Sequence, residues 1–312
     1  MKVFVTGACG YKGTVLVPKL LEHGHEVVAF DIQWFGNHLQ PHPALTVVKG
    51  DIRNIDEVDL DGVDAIIHLS SVANDPCGDL DPKLTWEISC LATMQLADRA
   101  KRLGVKRFIY ASSGSVYGIS DAPQVTEDLE LFPLSEYNKT KMCGERIVLS
   151  YQDDMTVQIV RPATVCGFSP RMRLDVSVNL LTMQALENGK ITVFGGDQTR
   201  PNIHIDDITD LYIFLLDNPQ HTGVYNAGFE NLSIKEIAEM VREIAEAEVE
   251  ITPSNDPRSY RVNSDRLLAT GFRPKKTVRD AIQELAGLYS QGVLKNDPSF
   301  HNLNWMQKEV VS

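Results

Sequence analysis

Val3-Phe-Val-Thr6, followed by Gly7-Ala-Cys-Gly10-Tyr-Lys-Gly13, is the stretch that decides the fold of this 312-residue chain. The apolar and β-branched run makes a short buried strand, and the glycines turn it sharply into a helix. Unpaired N–H groups and the positive end of the helix dipole meet at such a turn, so its natural ligand is a phosphate. Gly7 permits the tight turn, Gly10 lets a pyrophosphate approach the backbone, and Gly13 lets helix and strand pack closely. The spacing is G-x-x-G-x-x-G rather than the general G-x-G-x-x-G fingerprint, so neighbouring elements must decide whether a dinucleotide sits here.

Those elements alternate. Thr14 to Glu22 reads as a helix, ended by His23-Gly24-His25 with both histidines as solvated turn residues, and Glu26 to Phe30 as a second strand, with Asp31 at its C-terminal end. A carboxylate there accepts hydrogen bonds from a ribose 2′-hydroxyl and repels a 2′-phosphate, which favours NAD over NADP. Leu45 to Lys49 is a third strand, and after it Asp51 is placed either to reach an adenine amino group or to cap a helix. Asp64 to Leu69 is a fourth strand, and His68, inside its apolar run, reads as a core histidine. A long helix over Asp81–Leu103 precedes a fifth strand, Arg107–Ala111. Another helix over Leu134–Tyr151 precedes a sixth strand, Val157–Val160, stopped by Arg161-Pro162. The order predicts an α/β fold with a doubly wound parallel sheet.

From about residue 165 the polar loops lengthen and the helices shorten. Residues 1–165 are therefore assigned to a dinucleotide-binding domain, with a return segment near 205–226, and residues 166–290 to a smaller α/β lobe that caps the sheet edge. The tail, 291–312, carries no pattern and is expected to be loosely ordered.

Composition narrows the class. Hydrophobic residues make up 43% of the chain, enough for a substantial core. The net charge is −12 with no basic block, which argues against nucleic acid as a partner. An anionic ligand must then be met by local donors and a few placed arginines. Five scattered cysteines without a C-x-x-C argue for reduced thiols in a cytoplasm and against zinc or disulfides. Met1 leads straight into a strand and no apolar run approaches a membrane span, so a cytoplasmic protein is expected.

The chemistry is carried by Ser112-Ser113-Gly114-Ser115-Val116-Tyr117-Gly118, at the end of the fifth strand, and by Tyr137-x-x-x-Lys141. Four residues along a helix put Tyr137 and Lys141 on one face. An ammonium beside a phenol favours the phenolate, so Lys141 is expected to lower the Tyr137 pKa and make it a usable base. A serine hydroxyl nearby completes a donor set for a carbonyl oxygen or alkoxide.

Together these motifs resemble the extended short-chain dehydrogenase/reductases, in their nucleotide-sugar epimerase/dehydratase branch, over roughly residues 1–290. The likeness rests on Thr6–Gly13, Asp31, Gly50-Asp51-Ile52, His68-Leu69-Ser70-Ser71, Ser112–Gly118, Tyr137–Lys141, Arg161-Pro162-x-x-Val165-x-Gly167 and Arg200-x-x-x-His204-x-x-Asp207. The resemblance implies a Rossmann-type domain holding NAD, a lobe holding a nucleoside-diphosphate sugar, and a homodimer formed through two long helices. It implies Ser113, Tyr137 and Lys141 as catalytic residues. It places Gly7, Gly10, Tyr11, Lys12, Gly13, Asp31, Asp51, Ile52, Leu69, Ser70, Ser89, Ser112, Tyr137 and Lys141 at the cofactor. It also places Thr164 at the substrate, beside Ser113. Asn179, Arg200 and Arg258 are further candidates there, the arginines because a guanidinium forks onto phosphate oxygens, and Arg171 and Arg173, flanking Met172 in a loop, are placed either to face the ligand or to lie on the surface.

The implied reaction oxidises the sugar at C4, with Tyr137 as base, to a 4-keto sugar that is rotated and reduced on its other face. Sugar 4,6-dehydratases that resemble this family carry Asp-Glu after the catalytic hydroxyl, and decarboxylases a Glu where Ser115 stands. This chain has Gly114-Ser115, which favours an NAD-dependent 4-epimerase. The alternatives are a 4-dehydrogenase or 4-ketoreductase, and a non-catalytic dinucleotide sensor or scaffold. The chain departs from the family pattern at Lys12, Ser70-Ser71, Ser89, Thr164 and Cys166.

Overall fold

Val3 and Val5 turn to one face of the first strand and Phe4 to the other, and all three are fully buried. A strand buried on both faces belongs inside a parallel sheet covered by helices on each side. The computed structural model describes residues 1–120, 122–253 and 259–310. In it β1 (Lys2–Thr6) leads through the glycine turn into α1 (Gly13–Glu22), β2 (Glu26–Asp31) and β3 (Leu45–Lys49). The chain then crosses back to β4 (Ala65–His68) and continues through α2 (Asp75–Leu80), α3 (Pro82–Trp86) and α4 (Ala92–Arg102). Next come β5 (Arg107–Ala111), α5 (Glu136–Leu149) and β6 (Thr156–Pro162).

The second half begins with β7 (Thr164–Cys166), α6 (Ser177–Asn188), β8 (Lys190–Phe194) and β9 (Thr199–His204). It continues with α7 (Ile205–Asp217), β10 (Gly223–Ala227), β11 (Glu230–Ser233), α8 (Ile234–Ala245) and β12 (Glu248–Thr252). It ends with α9 (Asp265–Ala269), α10 (Val278–Ser290) and α11 (Asn302–Glu309).

The main sheet has seven strands in the order β10-β6-β5-β4-β1-β2-β3, and every neighbouring pair is parallel. From β1 the chain winds outward to β3 and then restarts on the other side at β4. The two windings part between β1 and β4, so the crevice beyond their C-terminal ends is where an open sheet of this kind takes its ligand. Val3, Val5, Ala65 and Ile67 pack with α1 and α7 on one face, while Phe4, Ile66 and Phe108 pack with α4 on the other. Helix α7 and strand β10 belong to this main body. A separate cluster joins α6, α8 and α10 with β8 (Val178, Ile191, Ile237, Ile282), and short sheets β11-β9-β7 and β12-β8 complete that region.

Four expectations are corrected. The helix over Asp81–Leu103 is three pieces, because a π-helical stretch at Glu87–Leu91 separates α3 from α4. Strand six does not stop at Val160: Asn226 and Ala227 of β10 pair with Arg161 and Pro162. His25, expected in solvent, is buried at the start of β2. The tail is not loose. Helix α11 docks on the main body, with Met306 buried and Trp305 4.5 Å from the Phe35 ring.

Candidate functional site

Gly7 has φ +67°, and a Cβ there would lie 2.8 Å from Ser70 N, so the turn after β1 needs glycine twice over. A Cβ at Gly13 would run into the carbonyls of Gly7 and Ala8. Gly10 has open space in front of it apart from Gly7 O at 3.2 Å. The N–H groups of Tyr11 and Lys12 have no acceptor among the described residues. This is a cradle with free donors at a helix start, and it fits a pyrophosphate.

The turn opens onto a cavity of about 550 Å³ lying over the C-terminal ends of β1, β4 and β5. Of the residues expected at the cofactor, Gly7, Gly10, Tyr11, Lys12, Gly13, Asp31, Asp51, Ile52, Leu69, Ser70, Ser112, Tyr137 and Lys141 line it. So do Ser113, Thr164 and Arg200 from the substrate set.

Asp31 accepts from Cys9 N (2.9 Å) and Gln33 N (2.6 Å), which locks its carboxylate at the cavity edge. Burial pushes its pKa up against those two bonds. Asp51 does both things left open for it. It lines the cavity and also caps the short helical turn after it, accepting from Arg53 N at 2.9 Å.

At the other end stand the candidate reacting groups. Ser113 closes β5's extension and α5 presents Tyr137 and Lys141 on one face. Helix α5 starts where it does because Ser135 caps it, accepting from Asn138 N. The Tyr137 phenol lies near Ser113, whose hydroxyl acts to lower the phenol's pKa. Ser113 Oγ shares a 2.7 Å hydrogen bond with Ser115 Oγ, and Ser115 donates onward to Asn138 Oδ1. Lys141 Nζ donates to Ala111 O at 2.7 Å and lies 6.0 Å from the Tyr137 ring centroid.

The expected effect of Lys141 on Tyr137 is not what this arrangement gives. Burial dominates and pushes the Tyr137 pKa up, with Ser113 opposing. The lysine is itself pushed down to about 7 by burial and by the nearby charge of Lys12. The ammonium is turned to a backbone carbonyl, so it supports the helix and the site floor before it supports a phenolate. Lys12, in turn, is pushed down to about 8 by burial and by Arg173.

Two candidates stand elsewhere. Ser89 does not line the cavity: its hydroxyl accepts from Val72 N (3.2 Å) and meets Ser71 Oγ (3.1 Å), bracing the loop after β4. It sits in the π-helical stretch, the kind of irregularity that re-aims side chains. Asn179 is fully buried behind the cavity wall, accepting from Gly167 N (3.0 Å) and donating to Tyr11 OH (3.1 Å) and Arg173 O (2.9 Å). It ties the glycine turn to the lobe and touches no ligand space. Ser112 reaches the cavity wall, yet its hydroxyl donates to Glu145. Arg258 lies outside the described residues.

Tyr11 is a strut as well, its phenol donating to Gly167 O at 2.7 Å. His68 is a satisfied core residue, with Thr6 Oγ1 at 2.6 Å and Thr93 Oγ1 at 2.9 Å.

Sequence reasoning missed the support beneath Ser112 and Lys141. Glu145, one helical turn beyond Lys141, takes a fork of two bonds from Arg161 (2.9 and 2.7 Å), and both side chains are buried. Arg161 also donates to Tyr117 OH (2.6 Å), which donates to Asn226 Oδ1 (2.7 Å). The i,i+4 spacing from Lys141 to Glu145 was the available signal. Also missed were Asp75, close enough to raise the Tyr137 pKa, and the wall formed by Trp34, Phe35, Asn302 and Leu303. Arg171 and Arg173, already candidates from the sequence, line the cavity, and Arg171 Nε and Arg173 Nη2 are buried without acceptors. Such donors fit a ligand rich in phosphate and hydroxyl oxygens.

Among the described residues no group of three His, Cys, Asp or Glu side chains could hold a metal ion, and no helix is long and apolar enough to cross a membrane.

A doubly wound sheet with a phosphate cradle and a Ser–Tyr–Lys constellation defines a dinucleotide-dependent enzyme that works on an alcohol or carbonyl carbon. More particularly, the chain belongs to the NAD dependent epimerase/dehydratase family, whose model matches residues 3–228. It is NAD-dependent, as that family is. It is 31% identical over 226 residues to a UDP-glucose 4-epimerase of Mycolicibacterium smegmatis, covering 68% of this chain and 72% of that one. It is 32% identical over 249 residues to an uncharacterised protein of Sinorhizobium fredii, covering 78% of this chain but only 60% of that relative's length. Among solved structures it is similar to UDP-glucuronic acid 4-epimerase from Bacillus cereus in complex with UDP-glucuronic acid and NAD. That likeness has a TM-score of 0.80 at 27% identity, over 93% of this chain and 99% of the other.

Proposed function

We propose that the protein is an NAD-dependent epimerase of a nucleoside-diphosphate sugar, inverting C4 through a transient 4-keto sugar. The observation that carries this reading is the make-up of the proton path. Ser113 stands beside the Tyr137 phenol and is hydrogen-bonded through Ser115 to Asn138, and none of these groups is a carboxylate. A 5,6-elimination needs an acid and a base beside the sugar ring, whereas inversion at C4 needs one group that takes a proton and gives it back.

In this scheme Tyr137 receives the proton of the 4-hydroxyl, and Ser113 hydrogen-bonds the oxygen while it is a carbonyl. NAD, when bound, would supply the hydride acceptor and a positive charge. Lys141, which lines the cavity beside Tyr137, would hold its nicotinamide ribose. Arg173 and Arg200 meet the substrate diphosphate, and Thr164 lies on the sugar side of the cavity. The same proton returns from Tyr137 when C4 is reduced on its other face. Leu91, Met94 and Leu103, exposed on α4 and at its two ends, support a homodimer through that helix and α5.

The test is incubation of the purified protein with UDP-, GDP-, CDP- and dTDP-sugars, with products read by NMR. The expected result is a C4 epimer from at least one sugar with no net consumption of added NAD. Stoichiometric reduction of NAD would favour a 4-dehydrogenase. Lack of turnover of every 4-hydroxy sugar would sink the proposal.

A further inference from the structure

We propose that helix α11 is a clasp on the adenosine half of NAD, holding Phe35 and Arg171 against the dinucleotide so that it stays in place from one turnover to the next. The inference rests on NAD occupying the cavity and not on which sugar product leaves.

The far end of the cavity, beyond Asp31, is walled by residues from three distant parts of the chain. Trp34 and Phe35 come from the loop after β2, Arg171 from the loop after β7, and Asn302 and Leu303 from α11. The pieces are joined side chain to side chain. The Trp305 ring centroid is 4.5 Å from that of Phe35 and 6.4 Å from that of Trp34. The guanidinium carbon of Arg171 sits 3.7 Å from the centre of the Phe35 ring. Arg171 Nη2 donates to Asn302 Oδ1 at 2.6 Å, and Nη1 donates to Met172 O at 3.2 Å.

Helix α11 is itself fixed. Met306 is buried in the core under the sheet, and Phe300 O, just before the helix, accepts from Leu174 N at 2.8 Å. The helix therefore has a firm seat from which to hold the arginine.

Arg171 is 2% exposed, a degree of burial that a cation tolerates only when its donors are met. Its Nε–H has no acceptor. Stacking on Phe35 and the bond to Asn302 fix the plane of the guanidinium, and the group borders the cavity beside Asp31. A fixed donor next to a carboxylate that accepts from ribose hydroxyls is complementary to the oxygens of an adenosine ribose and its phosphate. Because its orientation is set before the ligand arrives, little side-chain entropy is lost on binding, and the gain appears as slower release. An enzyme that oxidises and re-reduces the same sugar needs its cofactor to stay.

The experiment compares the full chain with Asn302→Ala and Trp305→Ala variants. Each is loaded with adenine-labelled NAD and chased with excess unlabelled NAD, and release is timed by gel filtration. Affinities for ADP-ribose and for UDP are measured beside it, and thermal melting checks the fold. Both variants are expected to release NAD about tenfold faster or more and to bind ADP-ribose correspondingly more weakly, with UDP affinity unchanged. Should Trp305→Ala lose its fold, Asn302→Ala decides, since it removes one acceptor and leaves the aromatic packing. Unchanged NAD release overturns the proposal. So does an equal loss of ADP-ribose and UDP binding, which marks general loosening of the cavity.

Discussion

At the reacting end of the cavity, Ser113, Tyr137 and Lys141 stand on β5's extension and on one face of α5, backed by the buried Arg161–Glu145 pair. At the adenosine end, Asp31 alone stands on a strand, while Phe35, Arg171 and Asn302 meet from a loop, a second loop and the last helix. One end takes its precision from regular backbone, and the other from side chains that find each other across the chain. Chemistry that tolerates little misplacement is on the rigid elements, and cofactor retention is left to packing. The same contrast predicts how each end fails: the first by losing rate, the second by losing grip.

The largest effect is expected at the reacting end. Tyr137→Phe removes the proton carrier and should lower turnover by about 10²–10⁴-fold, with NAD still bound after purification. Measured kcat and retained cofactor together check it, and loss of both would erase the distinction between the two ends. Next comes the support beneath. Glu145→Ala leaves Arg161 buried and unpaired and should destabilise the fold by about 3–5 kcal/mol, read from urea denaturation. A similar substitution in the adenosine wall, which holds no buried ion pair of this kind among the described residues, should cost less.

Asp31→Ser should weaken NAD by about 1–3 kcal/mol, seen in equilibrium titration, and should lessen discrimination against NADP. Turnover at saturating NAD should change little, because Asp31 is at the holding end.

The smallest effect concerns pH. An unfolded lysine keeps its proton up to about 10.5, whereas buried Lys141 keeps it only up to about 7. Between those values the unfolded chain binds more protons, so stability of the NAD-free protein gains from this group as pH rises and loses it as pH falls toward 7. Lys12 acts in the same direction from about 8. Lys141→Met should remove its share of that slope, at most about 1.4 kcal/mol per pH unit, and stabilise the empty protein near neutrality. Thermal melting across the window checks it.

The contrast between the two ends is also a contrast in what the sequence shows. Strand, glycine turn, Asp31 and Tyr137-x-x-x-Lys141 are local patterns, and the family resemblance follows from them. The π-helical stretch at Ser89 was not legible, because the apolar spacing over Asp81–Leu103 suits a straight helix as well. Asn179 read as a substrate ligand because nothing in its neighbourhood shows that Tyr11 and Gly167 take its amide first. The Tyr137 pKa was misjudged for a related reason. Spacing puts Lys141 near the phenol, but only the fold shows how deeply both are buried and that Ala111 O takes the ammonium. The tail was illegible because Trp305 acquires meaning only when Phe35, far away in the chain, is placed against it.

The most direct test of the central claim follows one hydrogen. A nucleoside-diphosphate sugar that the protein turns over, UDP-glucose in the first instance, is prepared with deuterium at C4. The products are read by NMR. An epimerase that takes hydride from C4 and returns it to C4 predicts a C4-inverted sugar with the deuterium still at C4 and none in solvent. Deuterium found at C6 of a dehydrated product, or carried away on released NADH, would contradict it.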